Sequence, residues 1–245
     1  MKISVITVAY NSERCIGKTI ESVLAQTHRD IEYWVIDGKS SDRTVEIAEG
    51  YRPALEARGI AYRVISEPDG GIYDAMNKGI RLAEGDVIGL LNSDDTYEPD
   101  ALQTVAETFE RTDCELMFAD IRLHKPDGSS FVKKARLRRF ETSRDWNHPT
   151  TFVRADIYKA NPFRNLGVHD DYGFFLQMKR QGRRIVTVNK VLADFQLGGA
   201  SNHKSLREAV NRIRDRYRWC YRINGYSRLY LLECIAIEMA KMILG

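Results

Sequence analysis

Two pairs of adjacent carboxylates and two acids beside glycines are the residues whose types could do chemistry in this sequence: Asp94-Asp95, Asp170-Asp171, Asp37 before Gly38, and Asp69 before Gly70-Gly71. Adjacent carboxylates are common oxygen ligands for Mg²⁺ or Mn²⁺, and an acidic crevice would repel a bare diphosphate unless such a cation sat between them. A carboxylate can also take the proton of a hydroxyl, a poor nucleophile until it loses one. Each residue has a plainer reading. Asp94-Asp95 could cap a helix near Pro99, Asp37 could be a turn residue, and Tyr10 could be buried packing. Asp170-Asp171 could simply favour the positive end of a helix, an effect of roughly 0.3–1 kcal/mol. What separates the readings is whether the surrounding elements bring these residues to one place.

The first half of the chain alternates apolar runs with helix-period segments. Ile3 to Val8 reads as a buried strand, and Ile16, Ile20, Val23 and Leu24 then form the stripe of an amphipathic helix capped near Asn11 or Ser12. Tyr33 to Ile36 is a second strand, followed by the turn Asp37-Gly38-Lys39-Ser40-Ser41, where Ser41 can cap a helix beginning around Asp42. Tyr62 to Ser66 is a third strand, and Met76, Ile80 and Ala83 mark the helix after it; Val87 to Leu91 is a fourth, uninterrupted by charge, and Pro99 opens a further helix. In an open α/β sheet the carboxyl ends of the strands converge on the ligand crevice. Here those ends read Tyr10-Asn11, Asp37-Gly38, Glu67-Pro68-Asp69 and Asp94-Asp95.

After about residue 115 the pattern turns to strands at Leu116 to Ile121, Phe131 to Lys133, Phe152-Val153 and Ile185 to Val188, with a helix from Tyr172 to Gln181. No low-complexity linker separates the halves, so they are expected to share one sheet. The 245 residues, 43% hydrophobic and 29% charged, have an ordinary globular balance, and a net charge of +3 implies no nucleic-acid partner. Cys15, Cys114, Cys220 and Cys234 are widely spaced and the first residues carry no export signal, so a cytoplasmic protein is expected.

Ser4-Val5-Ile6-Thr7-Val8-Ala9-Tyr10-Asn11, Val35-Ile36-Asp37-Gly38-Lys39-Ser40-Ser41-Asp42 and Leu91-Asn92-Ser93-Asp94-Asp95 together resemble the family 2 glycosyltransferases with the GT-A fold, over residues 1 to about 200. Ala9 stands where that family often has Pro, Lys39 where Gly or a small residue is commoner, and Asn92 at the first acid of its DxD motif. The resemblance implies an α/β fold with a central, mostly parallel mixed sheet. It implies an inverting transfer of a sugar from a nucleoside-diphosphate donor, most often UDP, to a glycan or a polyprenyl-diphosphate-linked acceptor in polysaccharide synthesis. Tyr10 would stack on the base, Asp37 accept from its edge, Asp94 approach the ribose or donor, and Asp95 hold Mg²⁺ or Mn²⁺. The run Glu67 to Gly79 resembles a subgroup of bacterial surface-polysaccharide enzymes, which puts Asp69 at the donor; Asn11 and Asn77 join the donor set. Val168-His169-Asp170-Asp171-Tyr172 resembles the family's acidic pair and makes Asp171 the general base. Asp170, His148, Ser201 and His203 are weaker candidates for the acceptor side. The implied layout is a catalytic domain over 1–200, with a nucleotide-sugar half to 112 and an acceptor half after it, and a helical extension over 201–245.

That extension is basic: from His203 to Arg228, Lys204, Arg207, Arg212, Arg214, Arg216, Arg218, Arg222 and Arg228 face only Glu208 and Asp215. Leu229 to Leu244 is mostly apolar, with Glu233, Glu238 and Lys241 in a limited arc of the wheel. About sixteen helical residues reach roughly 24 Å, short of a bilayer core of about 30 Å, so the segment suits either packing on the domain or a partner subunit, or peripheral contact with anionic lipid. No GxGxxG follows a strand, and Ser12 stands where the Gly17-Lys18-Thr19 run would need glycine for a phosphate loop, which disfavours dinucleotide and nucleotidyl chemistry. The rival from another class is a non-catalytic nucleotide-sugar or glycan-binding protein of the same fold.

Overall fold

The runs Ile3–Ala9 (β1) and Ile31–Asp37 (β2) are buried at every position, as parallel strands covered on both faces must be. Between them lies α1 (Ile16–Leu24), and after them α2 (Thr44–Gly50), α3 (Arg52–Ala57), β3 (Ala61–Ser66), α4 (Ile72–Leu82), β4 (Val87–Asn92), β5 (Thr96–Tyr97) and α5 (Ala101–Thr112). The second half supplies β6 (Leu116–His124), β7 (Ser130–Lys133), β8 (Phe152–Arg154), α6 (Ala155–Ala160), α7 (Asp170–Arg180) and β9 (Ile185–Gln196). Then come α8 (Leu206–Asp215), a π-helix (Arg216–Arg222) and α9 (Tyr230–Leu244). This computed structural model describes residues 1–167, 169–197 and 206–244.

The described strands form one sheet in the order β3-β2-β1-β4-β8-β6-β9-β5, with β7 beside β6. Strands β3, β2, β1 and β4 are parallel; β8 lies antiparallel between β4 and β6, and β9 runs parallel to β6. Both halves of the chain therefore contribute to the same sheet. The sequence extends from β1 to β2 on one side and reaches β4 on the other, so the order reverses between β1 and β4, and a ligand crevice opens beyond the carboxyl ends of that pair.

Alternation along β1 divides the core. Ile3 and Val5 pack with Ile16, Ile20, Val105 and Phe109 of α1 and α5, whereas Ile6 and Val8 pack with Met76 and Ile80 of α4 and Phe174 and Phe175 of α7. Helix α4 lies so close to the sheet that a Cβ on Gly79 would come within 2.5 Å of Ile6, which fixes glycine there and sets the height of the loop before α4.

Several local expectations shift. Helix α1 begins at Ile16 with Cys15 as its N-cap and no side-chain cap, because Asn11 and Ser12 bond to the neighbouring loops instead. Helix α2 begins at Thr44, where Asp42 rather than Ser41 accepts the Thr44 backbone N–H at 3.0 Å. Strand β9 runs eight residues beyond Val188, to Gln196: Asn189 and Lys190 interrupt its apolar pattern, and a register shift against Ala119 and Asp120 absorbs them. Asp94-Asp95 caps no helix, since α5 takes Asp100 as its N-cap residue.

In α9 the two acids, Glu233 and Glu238, face inward. Glu238 is fully buried against Arg212, 2.9 Å away, while Glu233 accepts from Thr142 at 2.8 Å and from Tyr221 at 3.1 Å. Leu229, Leu232, Ala236 and Met239 are left in solvent along the opposite side. No described helix is long and apolar enough to cross a membrane.

Candidate active site

The four loops at the carboxyl ends of the parallel strands are tied to one another by side chains. Asn11, in the left-handed region at φ 49°, receives the Ser41 N–H on Oδ1 at 3.0 Å and donates its own N–H to Ser40 Oγ at 2.8 Å, joining the loop after β1 to that after β2. Lys39 is also left-handed, at φ 65°, which accounts for the glycine common at this position among the proteins the motif resembles. Ser12 Oγ lies 2.8 Å from Ser93 Oγ and ties the same loop to β4. Asp37 is fully buried: Oδ2 accepts the Ser40 N–H at 2.9 Å and Ser66 Oγ at 2.7 Å, and Oδ1 accepts the Ser40 hydroxyl. It fastens the loops after β2 and β3, with one lone pair on Oδ1 left for a ligand. A Cβ on Gly38 would come within 2.6 Å of the Asp69 carboxylate, so the bare glycine lets Asp69 lie over the β2 loop. Tyr10 is 66% exposed, which excludes buried packing and leaves its ring open to a planar ligand.

At the end of β4, Thr19 of α1 donates a bifurcated bond to the carbonyls of Ser93 and Asp95, 2.8 Å each, and holds the Asp94-Asp95 turn. Asp94 is open to solvent on one side, yet the protein crowding its other side raises its carboxyl. Asp95 is fully buried; desolvation, reinforced by the charge of Asp94, pushes it well above the usual carboxylate range. Its Oδ2 accepts a long bond from Asn92 Nδ2 at 3.5 Å, while Asp95 Oδ1 and Asn92 Oδ1 are buried with no hydrogen-bond partner. An orphaned oxygen on a carboxylate that burial would neutralise, with a second on the neighbouring Asn92 amide, suits a hard divalent cation, which supplies the missing charge and accepts oxygen ligands. No group of three or more His, Cys, Asp or Glu side chains gathers among the described residues, so the remaining ligands of a cation here would come from water and a bound phosphate.

Across α4 from these loops lies the start of α7. Asp171 Oδ1 accepts Tyr73 OH at 3.0 Å and the Tyr172 N–H at 2.8 Å, and Oδ2 lies 3.0 Å from His148 Nδ1. Burial alone would raise this carboxyl; the bond to and charge of His148, with His169 and the Tyr172 N–H, outweigh it and hold Asp171 below its ordinary value. Tyr73 belongs to the first turn of α4, directly after Gly70-Gly71, so the start of α7 and the Asp69 loop share one support. The loop of His148 is tied to β6 where the register of β6 against β9 shifts. Ala119 at that irregularity accepts from Asn147 Nδ2 at 2.8 Å and exchanges bonds with Thr150 Oγ1 at 2.7 and 3.0 Å, clamping the loop on both sides of the histidine.

Two of the residues expected at ligands have protein partners. Asn77 is nine-tenths buried and its amide meets Phe163, donating to the carbonyl at 2.8 Å and accepting the N–H at 2.9 Å; it braces the segment before α7. Asp170 accepts the Leu166 N–H at 2.8 Å and closes the same loop, with its carboxyl raised chiefly by burial. Ser201 and His203 lie outside the described residues. Thr19, Tyr73 and Ser93 carried no signal in sequence: each acts by one hydroxyl on a group distant in the chain, a pair of backbone carbonyls, a carboxylate and the Ser12 hydroxyl respectively, which only the docking of the elements reveals.

Residues 4–181 match the family model for glycosyl transferase family 2. A 107-residue stretch is 44% identical to an uncharacterized glycosyltransferase of Mycobacterium tuberculosis, covering 43% of this chain and 38% of that protein. A PGL/p-HBAD biosynthesis glycosyltransferase of Mycobacterium bovis is 32% identical over 219 residues, 86% of this chain and 83% of its own length. In fold, the chain is similar to Staphylococcus aureus TarS 1-349 in complex with UDP (TM-score 0.66, 22% identity, 98% of this chain and 66% of that one). It is also similar to the mannosyltransferase PcManGT of Pyrobaculum calidifontis in complex with GDP-Man and Mn²⁺ (TM-score 0.66, 16% identity, 100% of this chain and 70% of that one). The chain spans well under two thirds of the first of these relatives, and by the family match it belongs to glycosyl transferase family 2, with the GT-A fold.

Proposed function

We propose that this enzyme moves a sugar from a nucleoside-diphosphate sugar, UDP-linked, to a hydroxyl of a glycan or a polyprenyl-diphosphate-linked saccharide, with inversion at the anomeric carbon. The observation that carries the reading is the presence of two unlike acidic sites on one sheet scaffold: the strand-end loops with the partner-free oxygens of Asp95 and Asn92, and the half-buried Asp171, whose carboxyl is held below its ordinary value. Tyr10 and the Asp37 loop receive the nucleoside, and Asp69 and Asp94 flank the sugar and its diphosphate. Asp95 with Asn92 would hold Mg²⁺ or Mn²⁺, which when bound offsets the charge of the leaving diphosphate. The acceptor hydroxyl gives up its proton toward the Asp171 side as its oxygen attacks, and the bond from the anomeric carbon to the diphosphate breaks on the opposite face.

The exposed row Leu229, Leu232, Ala236 and Met239 flanked by Arg222 and Arg228 gives the extension a face suited to an anionic lipid surface, where a lipid-linked acceptor would lie on the cytoplasmic side.

Calorimetry with UDP, UDP-N-acetylglucosamine and GDP-mannose tests the donor side. Binding that requires Mn²⁺ or Mg²⁺ in the wild type and is lost in Asp95→Ala is the expected result; binding indifferent to both the cation and Asp95 would contradict the placement of the diphosphate.

A further inference from the structure

The π-helix divides its residues between two sides. Arg216, Cys220 and Tyr221 are buried, and this side is bonded to the first turn of α7: Cys220 Sγ donates to the His169 carbonyl at 3.2 Å, and Tyr221 OH lies 3.1 Å from Tyr172 OH. Just beyond, Asn224 Nδ2 donates to the Gly173 carbonyl at 2.9 Å. The other side is hollow. Tyr217, Arg218, Trp219, Arg222 and Ile223 line an open cleft of about 660 Å³, a size at which small-molecule sites are found. The Ile223 N–H donates to the Arg218 carbonyl five residues back at 3.1 Å, and that wide turn brings Arg218, Arg222 and Ile223 to one side.

Both guanidinium groups stand in solvent, and neither has a carboxylate partner among the described residues. The nearest acids in the chain are engaged elsewhere: Asp215 is held by Arg214 at 3.1 Å, and Glu233 is turned to Thr142 and Tyr221. Two unpaired guanidinium groups in one cleft match a doubly charged diphosphate, which arginine binds through paired N–H donors. The two aromatic rings offer flat faces, Ile223 is 44% exposed, and Leu229, Leu231 and Leu232 follow it in the chain as exposed apolar residues. Trp219 also lines a second, small cavity with Arg164, Asp170 and Gly173, so the cleft borders the segment that opens α7.

We propose that this cleft binds the diphosphate of a polyprenyl-linked acceptor, with Arg218 and Arg222 on the phosphates, Tyr217 and Trp219 against the group next to them, and Ile223 at the start of the hydrocarbon chain. This rests on the glycosyl-transfer reading given above. Because the π-helix is bonded to the first turn of α7, an acceptor held here is carried on the same body as Asp171. A bilayer surface would need only a flat basic face, whereas a cleft with two guanidinium groups selects one headgroup.

The test is calorimetry on the full chain with farnesyl diphosphate as the probe, in EDTA so that no cation holds a diphosphate at Asp95. The wild type is expected to bind it, and Arg218→Gln with Arg222→Gln to weaken binding by at least about tenfold, as the loss of charge-assisted bonds requires. Arg214→Gln, which removes a paired arginine of the same extension, should bind as the wild type does, and so should Asp95→Ala. Farnesol, which lacks the diphosphate, should bind the wild type and the double variant alike. No binding by the wild type, equal binding by the double variant, or an equal loss in Arg214→Gln would overturn the proposal. Loss in Asp95→Ala would place the diphosphate in the donor crevice and overturn it too. Dihexanoyl phosphatidylglycerol bound as tightly as farnesyl diphosphate would assign the cleft to bulk anionic lipid, against the proposal. Failure of the wild type to bind UDP-sugars with Mn²⁺ would instead contradict the glycosyl-transfer reading, a result separate from the prenyl diphosphate titration.

Discussion

Asp95 and Asn77 are both buried polar residues near the crevice, and their partners separate them. Asp95 keeps an orphaned oxygen and a carboxyl driven upward by burial, which fits a group completed by something added to the protein. Asn77 is complete without any ligand, so Asn77→Ala should act on stability: it strands the Phe163 N–H and carbonyl, each costing about 1–3 kcal/mol, while donor affinity of the folded variant stays at the wild-type level. Chemical denaturation and calorimetry on the same sample check both halves. Asp171 has a lowered carboxyl, so the unfolded chain binds its proton more readily than the native one. Its stabilising share is fully present above the unfolded value of about 3.9 and is lost as pH falls through the lower folded value. The melting-temperature gap between wild type and Asp171→Asn should therefore be constant above about pH 5 and close on acidification below about pH 4; a gap that widened with acid would contradict the hydrogen-bonded carboxylate. Asp37, Asp69, Asp94 and Asp95 were legible in the sequence because a strand's end is readable and topology fixes where strand ends go. The destination of the Asn77 amide and the Asp171–His148 contact were not, because each depends on the close seating of α4 or on the register shift between β6 and β9, neither of which leaves a local pattern.

Among the elements, the central strands could be read from their unbroken apolar runs, whereas β9 could not be followed past Val188, where the pairing register against β6 shifts around Asn189 and Lys190. The last helix reverses the ordinary reading of a wheel. Glu233 and Glu238 turn inward because Thr142, Tyr221 and Arg212 are there to meet them, and the apolar row is left outside. If that row meets lipid, the wild type should float with vesicles containing anionic phospholipid and not with neutral ones, and Leu232→Glu with Met239→Glu should abolish flotation while release of nucleoside diphosphate to water is unchanged. Equal flotation of the two proteins would rule out this face; dimers in the wild type alone, by light scattering, would assign it to a second copy.

For the molecule as a whole, one sheet carries the acidic loops at the ends of β1 to β4 and, through β6 and β8, the loop that holds His148 beside Asp171. The GT-A architecture and the sharing of one sheet by the two halves were readable from the βα rhythm, the strand-end motifs and the absence of a linker; the seating of β8 between β4 and β6, which makes the join, was not. The central claim is that this crevice cleaves a nucleotide sugar with the help of a cation at Asp95. The direct measurement is release of free nucleoside diphosphate from UDP-, GDP- and dTDP-sugars, with Mn²⁺ or Mg²⁺ and then with EDTA, in wild type and Asp95→Ala. Release that needs the cation and disappears in Asp95→Ala is the expected result; release that survives both EDTA and the substitution would contradict it.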